Sequence, residues 1–130
     1  MEYKKDFDKW NEDKKRLHKR DSIPFSNTRE VWWCSLGINV GIEIDGKNDN
    51  YERPVLILKV FNKEMLWVVP LTSKPRQNKF YFKISFGEEN ISYVILSQSR
   101  IISAKRLVRK IDRLSEETFK KVIKEFKNQL

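Results

Sequence analysis

Two apolar runs facing each other across a two-residue turn constrain this chain more than any other feature. Residues 53–61 (RPVLILKVF) and 64–71 (EMLWVVPL) flank Asn62-Lys63, which predicts a β-hairpin. Both runs are too continuously apolar for strands with one wet face, so they belong in the core of a small barrel. The neighbouring segments supply the other strands. Residues 30–36 (EVWWCSL) are rich in β-branched and aromatic side chains, and 79–86 (KFYFKISF) alternates Phe80, Phe82, Ile84 and Phe86 with Lys79, Tyr81, Lys83 and Ser85. Residues 93–96 and 99–102 read as one long or bent strand, and 107–111 as a short one. Ser115 is placed to cap a helix whose apolar stripe is Phe119, Val122, Ile123, Phe126 and Leu130. Five or six short strands followed by one helix predict a mainly β, α+β chain: a small half-open barrel with a C-terminal helix.

Ahead of the barrel lies a different kind of sequence. Residues 2–20 are polar apart from Phe7, Trp10 and Leu17 at roughly helical spacing, a stripe too thin to hold an isolated helix. An extra N-terminal helix is expected here, kept in place by docking that face on the barrel or on a second subunit. Residues 22–28 (SIPFSNT) read as a linker, so 1–28 form a helical arm with its linker and 29–130 the barrel domain. A chain of 130 residues is expected to form one domain, without two independent cores.

Charge and residue counts narrow the chemistry. Lys and Arg total 27 against 18 Asp and Glu, a net charge of +9, which favours a polyanionic partner. The excess sits at the ends: 8 basic against 5 acidic in residues 1–20 (+3), 9 against 9 in 21–99 (0), and 10 against 4 in 100–130 (+6). A single cysteine, Cys34, excludes an internal disulfide or a multi-cysteine zinc site, and a single histidine, His18, excludes a two-histidine acid–base pair. Inside a strand Cys34 reads as a small buried hydrophobe, and His18, among lysines and arginines, as a surface group. Glycine motifs of nucleotide loops and hydrolase elbows are missing as well. The loop 37–52 (GINVGIEIDGKNDNYE) fails the EF-hand pattern, with Asn50 where glycine is needed and Leu56 where glutamate is needed. No metal and no cofactor are expected, and the loop's length points to function. Neither a membrane span nor a signal peptide is legible, so a cytoplasmic protein is expected.

From Arg29 onward the chain resembles the PemK/MazF toxin family of type II toxin–antitoxin pairs. The likeness is carried, in order, by residues 31–37 (VWWCSLG), 53–58 (RPVLIL), 69–73 (VPLTS) and 96–101 (LSQSRI), with 106–115 and the final helix completing it. Each segment is weak alone, and the ordered set is specific. The resemblance implies an SH3-like barrel, a homodimer, a cognate antitoxin partner, and metal-independent endoribonuclease activity on single-stranded RNA, mRNA included. Two departures stand out. The loop before Arg53 is longer than the family pattern, although Gly41 and Glu43 fit it, and residues 1–28 have no counterpart in short family members.

The same resemblance carries the family's active-site arginine onto Arg53 and its threonine onto Thr72. An RNase without metal can use the substrate's own 2′-OH as nucleophile, leaving a 2′,3′-cyclic phosphate and a 5′-OH. The protein must then steady a pentacoordinate phosphorus and assist two proton transfers. Arg53 would supply a planar, permanent cation for phosphate oxygens, and Thr72 a hydroxyl to position the phosphate or the arginine. Spacing alone also accommodates Arg53 as an exposed cation at a strand start and Thr72 as a turn hydroxyl. Arginine is a poor general base, and Glu43 is the candidate carboxylate of the substrate loop. Gln98 matches a family glutamine that could meet RNA, or is a strand amide bonded to backbone; Ser73, Lys74 and Arg76 could hold phosphates or form a solvated loop. A non-catalytic barrel that binds nucleic acid or protein is the alternative function, and a topoisomerase-poisoning toxin on the same fold is a third.

Overall fold

Strands with two apolar faces need cover on both, and the architecture provides it. The structure, a computed structural model, describes residues 4–130. The described residues form strands β1 (Glu30–Ser35), β2 (Glu52–Val60), β3 (Met65–Thr72), β4 (Tyr81–Phe86), β5 (Asn90–Ile95), β6 (Arg100–Ser103) and β7 (Leu107–Arg113), with helices α1 (Phe7–His18) and α2 (Glu116–Lys127). Six strands run in the order β4-β5-β3-β2-β1-β7, and β6 joins β3 off that path. All pairings are antiparallel. The sheet does not close into a ring, so the half-open barrel of the sequence reading is an open sheet ending at β4 and β7.

The predicted hairpin is β2 and β3. Asn62 makes its turn by accepting, through Oδ1, the backbone N–H groups of Glu64 at 2.9 Å and Met65 at 2.8 Å. Successive side chains on these strands serve opposite cores. Leu56, Leu58, Val69 and Leu71 join Val31, Ile84, Phe86, Val94 and the α2 residue Val122. Val55, Ile57, Leu66 and Val68 face the other way, onto Trp32, Cys34, Ile102 and Leu107. A bulge between Ile57 and Lys59 shifts the β2–β3 register.

Residues 93–102 hold a break where the sequence suggested one long or bent strand. β5 pairs with the end of β3 (Leu71 opposite Val94) and β6 with its beginning (Met65 opposite Ser103), separated by a 3-10 turn at Leu96–Gln98. Both lie on one edge of β3, which is too long for either alone. Ser115 caps α2 as expected, its Oγ accepting Thr118 N–H at 3.1 Å. The apolar stripe stops at Phe126, because the helix ends at Lys127 and Leu130 is fully exposed. Among the described residues no helix is long and apolar enough to cross a membrane.

The arm docks in cis. Asp6 caps α1 by accepting Lys9 N–H at 3.0 Å. Trp10 is buried and Leu17 half-buried, whereas Phe7 faces outward. The far end is fastened by Arg20 Nη1, which donates to the carbonyls of Lys105 and Leu107 at 2.7 Å each, and by Lys105 Nζ, which donates to His18 O at 2.9 Å.

Candidate functional site

β2 and β3 pair with Val55 opposite Pro70. Carried to the strand ends, that register brings Arg53 level with Thr72. Arg53 is 7% exposed and Thr72 9%, yet both line one cleft of about 450 Å³, with Trp33, Lys47, Glu52 and Ser73 among its walls. Arg53 is therefore a buried, oriented group and no exposed strand-start cation. Its Nε donates to Asp45 O at 2.7 Å and its Nη1 to Leu71 O at 3.2 Å. Two of the five guanidinium donors are thus spent on aiming the fork, leaving the others for an anion in the cleft. Burial draws the Arg53 guanidinium below its ordinary value, and the nearby Asp45 carboxylate works against that pull. Thr72 Oγ1 accepts Lys74 N–H at 3.2 Å, so it is a turn hydroxyl whose own proton stays available to a phosphate oxygen.

A second cation joins them that the sequence did not mark. Lys47 lies in the 37–52 loop, which folds back on itself through reciprocal bonds between Lys47 and Glu52, at 2.7 Å and 2.8 Å. Burial lowers the Lys47 ammonium from its ordinary value, and the neighbouring charges of Lys74, Arg53 and Arg76 lower it further. Cations packed this closely repel one another, and a phosphate chain laid across them relieves the repulsion. No spacing in the sequence marks Lys47, because its position depends on how the loop closes.

The remaining predicted residues divide between this cleft and its surroundings. Ser73 lines it, while Lys74 and Arg76 stand beside Lys47 and are exposed. Glu43 does not line it. Glu43 shares a separate cleft of about 560 Å³ with Arg53, and its carboxylate accepts Val40 N–H at 3.0 Å. The acidic residue that lines the Arg53–Thr72 cleft is Glu52. Gln98 sits on the 3-10 turn, where its Oε1 accepts Ile44 N–H at 3.2 Å and its Nε2 donates to Ile42 O at 3.3 Å. It is an amide bonded to backbone, as one reading had it, but the backbone belongs to the 37–52 loop. Among the described residues no group of three or more His, Cys, Asp or Glu side chains could hold a metal ion. Cys34 is fully buried, and burial pushes its thiol up to about 12.

The fold is thus a small β protein on an open antiparallel sheet, in which a buried, aimed arginine stands beside a hydroxyl and a knot of cations, donors whose chemistry suits a phosphate-like anion. The model of the PemK-like, MazF-like toxins of type II toxin–antitoxin systems matches residues 27–130, and the chain belongs to that family. Among solved structures, MazF from Deinococcus radiodurans shares 16% identity at a TM-score of 0.65, covering 84% of this chain and 97% of that one. The Mycobacterium tuberculosis toxin MazF-mt6 shares 20% at 0.59, covering 77% and 94%. An endoribonuclease in complex with its cognate antitoxin, from a mycobacterial species, shares 14% at 0.60, covering 80% and 93%. At these identities the likeness is one of fold. No curated protein matches the chain by sequence.

Proposed function

We propose that the chain is a toxin that cleaves single-stranded RNA, mRNA included, by attack of the substrate's own 2′-OH, without a metal ion. The observation that carries this reading is the Arg53–Thr72 pair in one cleft beside the cations of Lys47, Lys74 and Arg76. Arg53 stabilises the charge that develops on the phosphorus, where a preaimed cation in a sheltered site is worth most. Thr72 donates to a phosphate oxygen. Lys47, Ser73, Lys74 and Arg76 hold the flanking phosphates. Gln98 and Glu43 shape the substrate loop, and a proton is handled by Glu52, the acidic residue lining the cleft. The toxin works in the cytoplasm against a cognate antitoxin. It acts as a homodimer, for which exposed Phe61, Met65 and Ile101 offer apolar surface.

The test is incubation of the purified chain with a long defined RNA in excess EDTA, followed by mapping of the ends. Products with a 2′,3′-cyclic phosphate and a 5′-OH, and survival of a substrate carrying 2′-deoxy at the scissile position, are expected. Strict dependence on Mg²⁺ or cleavage of the deoxy substrate overturns the mechanism. Binding of RNA without any cleavage points instead to the non-catalytic module.

A further inference from the structure

α1 lies wholly outside the residues matched by the family model, and nothing in the proposed chemistry uses it. The contacts at its N-terminal end nevertheless fall on the loop that leads into Arg53. Lys5, just ahead of the helix, donates from Nζ to the carbonyl of Asn39 and, at 3.1 Å, to that of Gly41, and it pairs with the Asp45 carboxylate at 3.3 Å. Lys9 Nζ donates to Asp49 O at 3.0 Å and sits over the Tyr51 ring. Trp10 meets Tyr51 edge-on, with centroids 5.7 Å apart, and the Arg106 guanidinium lies over its ring, 5.7 Å from the centroid. Asn48 and Tyr51 both hold positive φ, a conformation that non-glycine residues keep only when their surroundings insist. The loop is thus a strained segment under an external clamp.

The clamp reaches the site through one residue. The Asp45 side chain takes Lys5 and the backbone N–H of Asn39, at 2.6 Å, while its carbonyl oxygen accepts Arg53 Nε. We propose that Lys5 and Trp10 are positioning residues, which fix Asp45 and through it the aim of the Arg53 guanidinium. This rests on Arg53 being the group that acts on the phosphate. A helix of 12 residues with so few apolar contacts does not hold alone. Arm and loop therefore order each other, and the loop can keep its strained turn because the arm is seated.

The experiment uses the full chain with Trp10→Ala, Lys5→Met, the conservative Lys5→Arg, and Glu12→Ala as control, since among the described residues Glu12 pairs only with surface Lys15. Two quantities are read: kcat and KM on a short single-stranded RNA, and the exchange rate of the Arg53 Nε–H proton by nitrogen-edited NMR. Trp10→Ala and Lys5→Met should lower kcat about 10- to 100-fold with KM nearly unchanged, and should speed exchange of that proton. Lys5→Arg should restore both, and Glu12→Ala should match the parent. A fall in melting temperature with kcat and exchange unchanged makes the arm a structural appendage and overturns the proposal. So does a rise in KM alone with a shallower salt dependence, which marks a direct RNA contact. If the parent protein does not cleave RNA, the functional reading fails, and the exchange rates still decide whether the arm aims Arg53.

Discussion

Replacing Gly37 by alanine tests whether arm and sheet meet where the structure places them. Gly37 has φ +76°, and a Cβ there would land in the Trp10 indole. Two costs follow. The left-handed backbone costs alanine about 1–2 kcal/mol whatever lies above it. The collision adds a second term, because Trp10, only 4% exposed, cannot yield without leaving its seat. An indole burying about 150–250 Å² at about 25 cal/mol per Å² sets an upper bound near 4–6 kcal/mol. The actual loss is smaller, since an undocked arm regains conformational entropy and leaves both cores intact. The expected total for Gly37→Ala is about 2–4 kcal/mol. Trp10→Ala removes the obstacle, so Gly37→Ala in that background should cost only the backbone term. The double-mutant cycle then carries a coupling of about 1–3 kcal/mol, with the double variant more stable than the sum of single losses implies. Urea titrations followed by far-UV circular dichroism supply the four stabilities. Additivity within about 0.5 kcal/mol would refute the contact.

Arg53→Ala should abolish RNA cleavage and also cost about 1–3 kcal/mol, because the carbonyls of Asp45 and Leu71 each lose a donor; Arg53→Lys should stay nearly inactive, since an ammonium cannot span both carbonyls and a phosphate. Cleavage assays and melts on the same samples separate the two effects. Lys47→Ala, Lys74→Ala and Arg76→Ala should each reduce the slope of log affinity against log salt for single-stranded RNA by about 0.7 per lost phosphate contact; unchanged slopes would place the strand elsewhere. Cys34 should resist iodoacetamide in the native protein at pH 8, because its thiol is pushed up to about 12 by burial. The unfolded thiol ionises first, so stability relative to Cys34→Ala is intact below pH 9 and should fall by up to about 1.4 kcal/mol per pH unit above it. A flat difference between pH 9 and 11 would contradict that assignment.

The sheet was legible wherever burial on both faces left a continuous apolar run, as in β2 and β3. It was less legible where strands share a partner: nothing in residues 93–102 says that β3 is long enough to take β5 and β6 end to end. In the arm, hydrophobic spacing identified Trp10 and Leu17 but misjudged Phe7, which is 49% exposed. A sparse stripe does not show how far round the helix the contact extends. Arg53 and Thr72 stood out through family order, and their shared cleft follows from strand register. Lys47 and Asp45 did not stand out, because loop residues acquire their neighbours from closure, which has no period to read. Trp67, on an apolar run, is only partly buried, lying between Phe61 and Phe126. Alternation gives a face, and the depth of that face depends on what the helix above it covers.

An open sheet has consequences for how copies of this chain behave when crowded. Among the described residues no strand pairs with the outer sides of β4 and β7, so each offers a row of backbone donors and acceptors to any strand that arrives. β4 is six residues long, carries Lys83, and is bordered by the chain's end, where Gln129 Nε2 donates to Lys79 O at 2.8 Å. β7 is longer and carries exposed Arg109, Lys110 and Arg113, of which Lys110 pairs with Glu30 at 3.1 Å and Arg109 lies over the Trp33 ring. A second β7 approaching edge to edge meets the same cations, and like charges set opposite one another disfavour the ladder. Positive charge on this strand thus guards it against self-templated fibre growth.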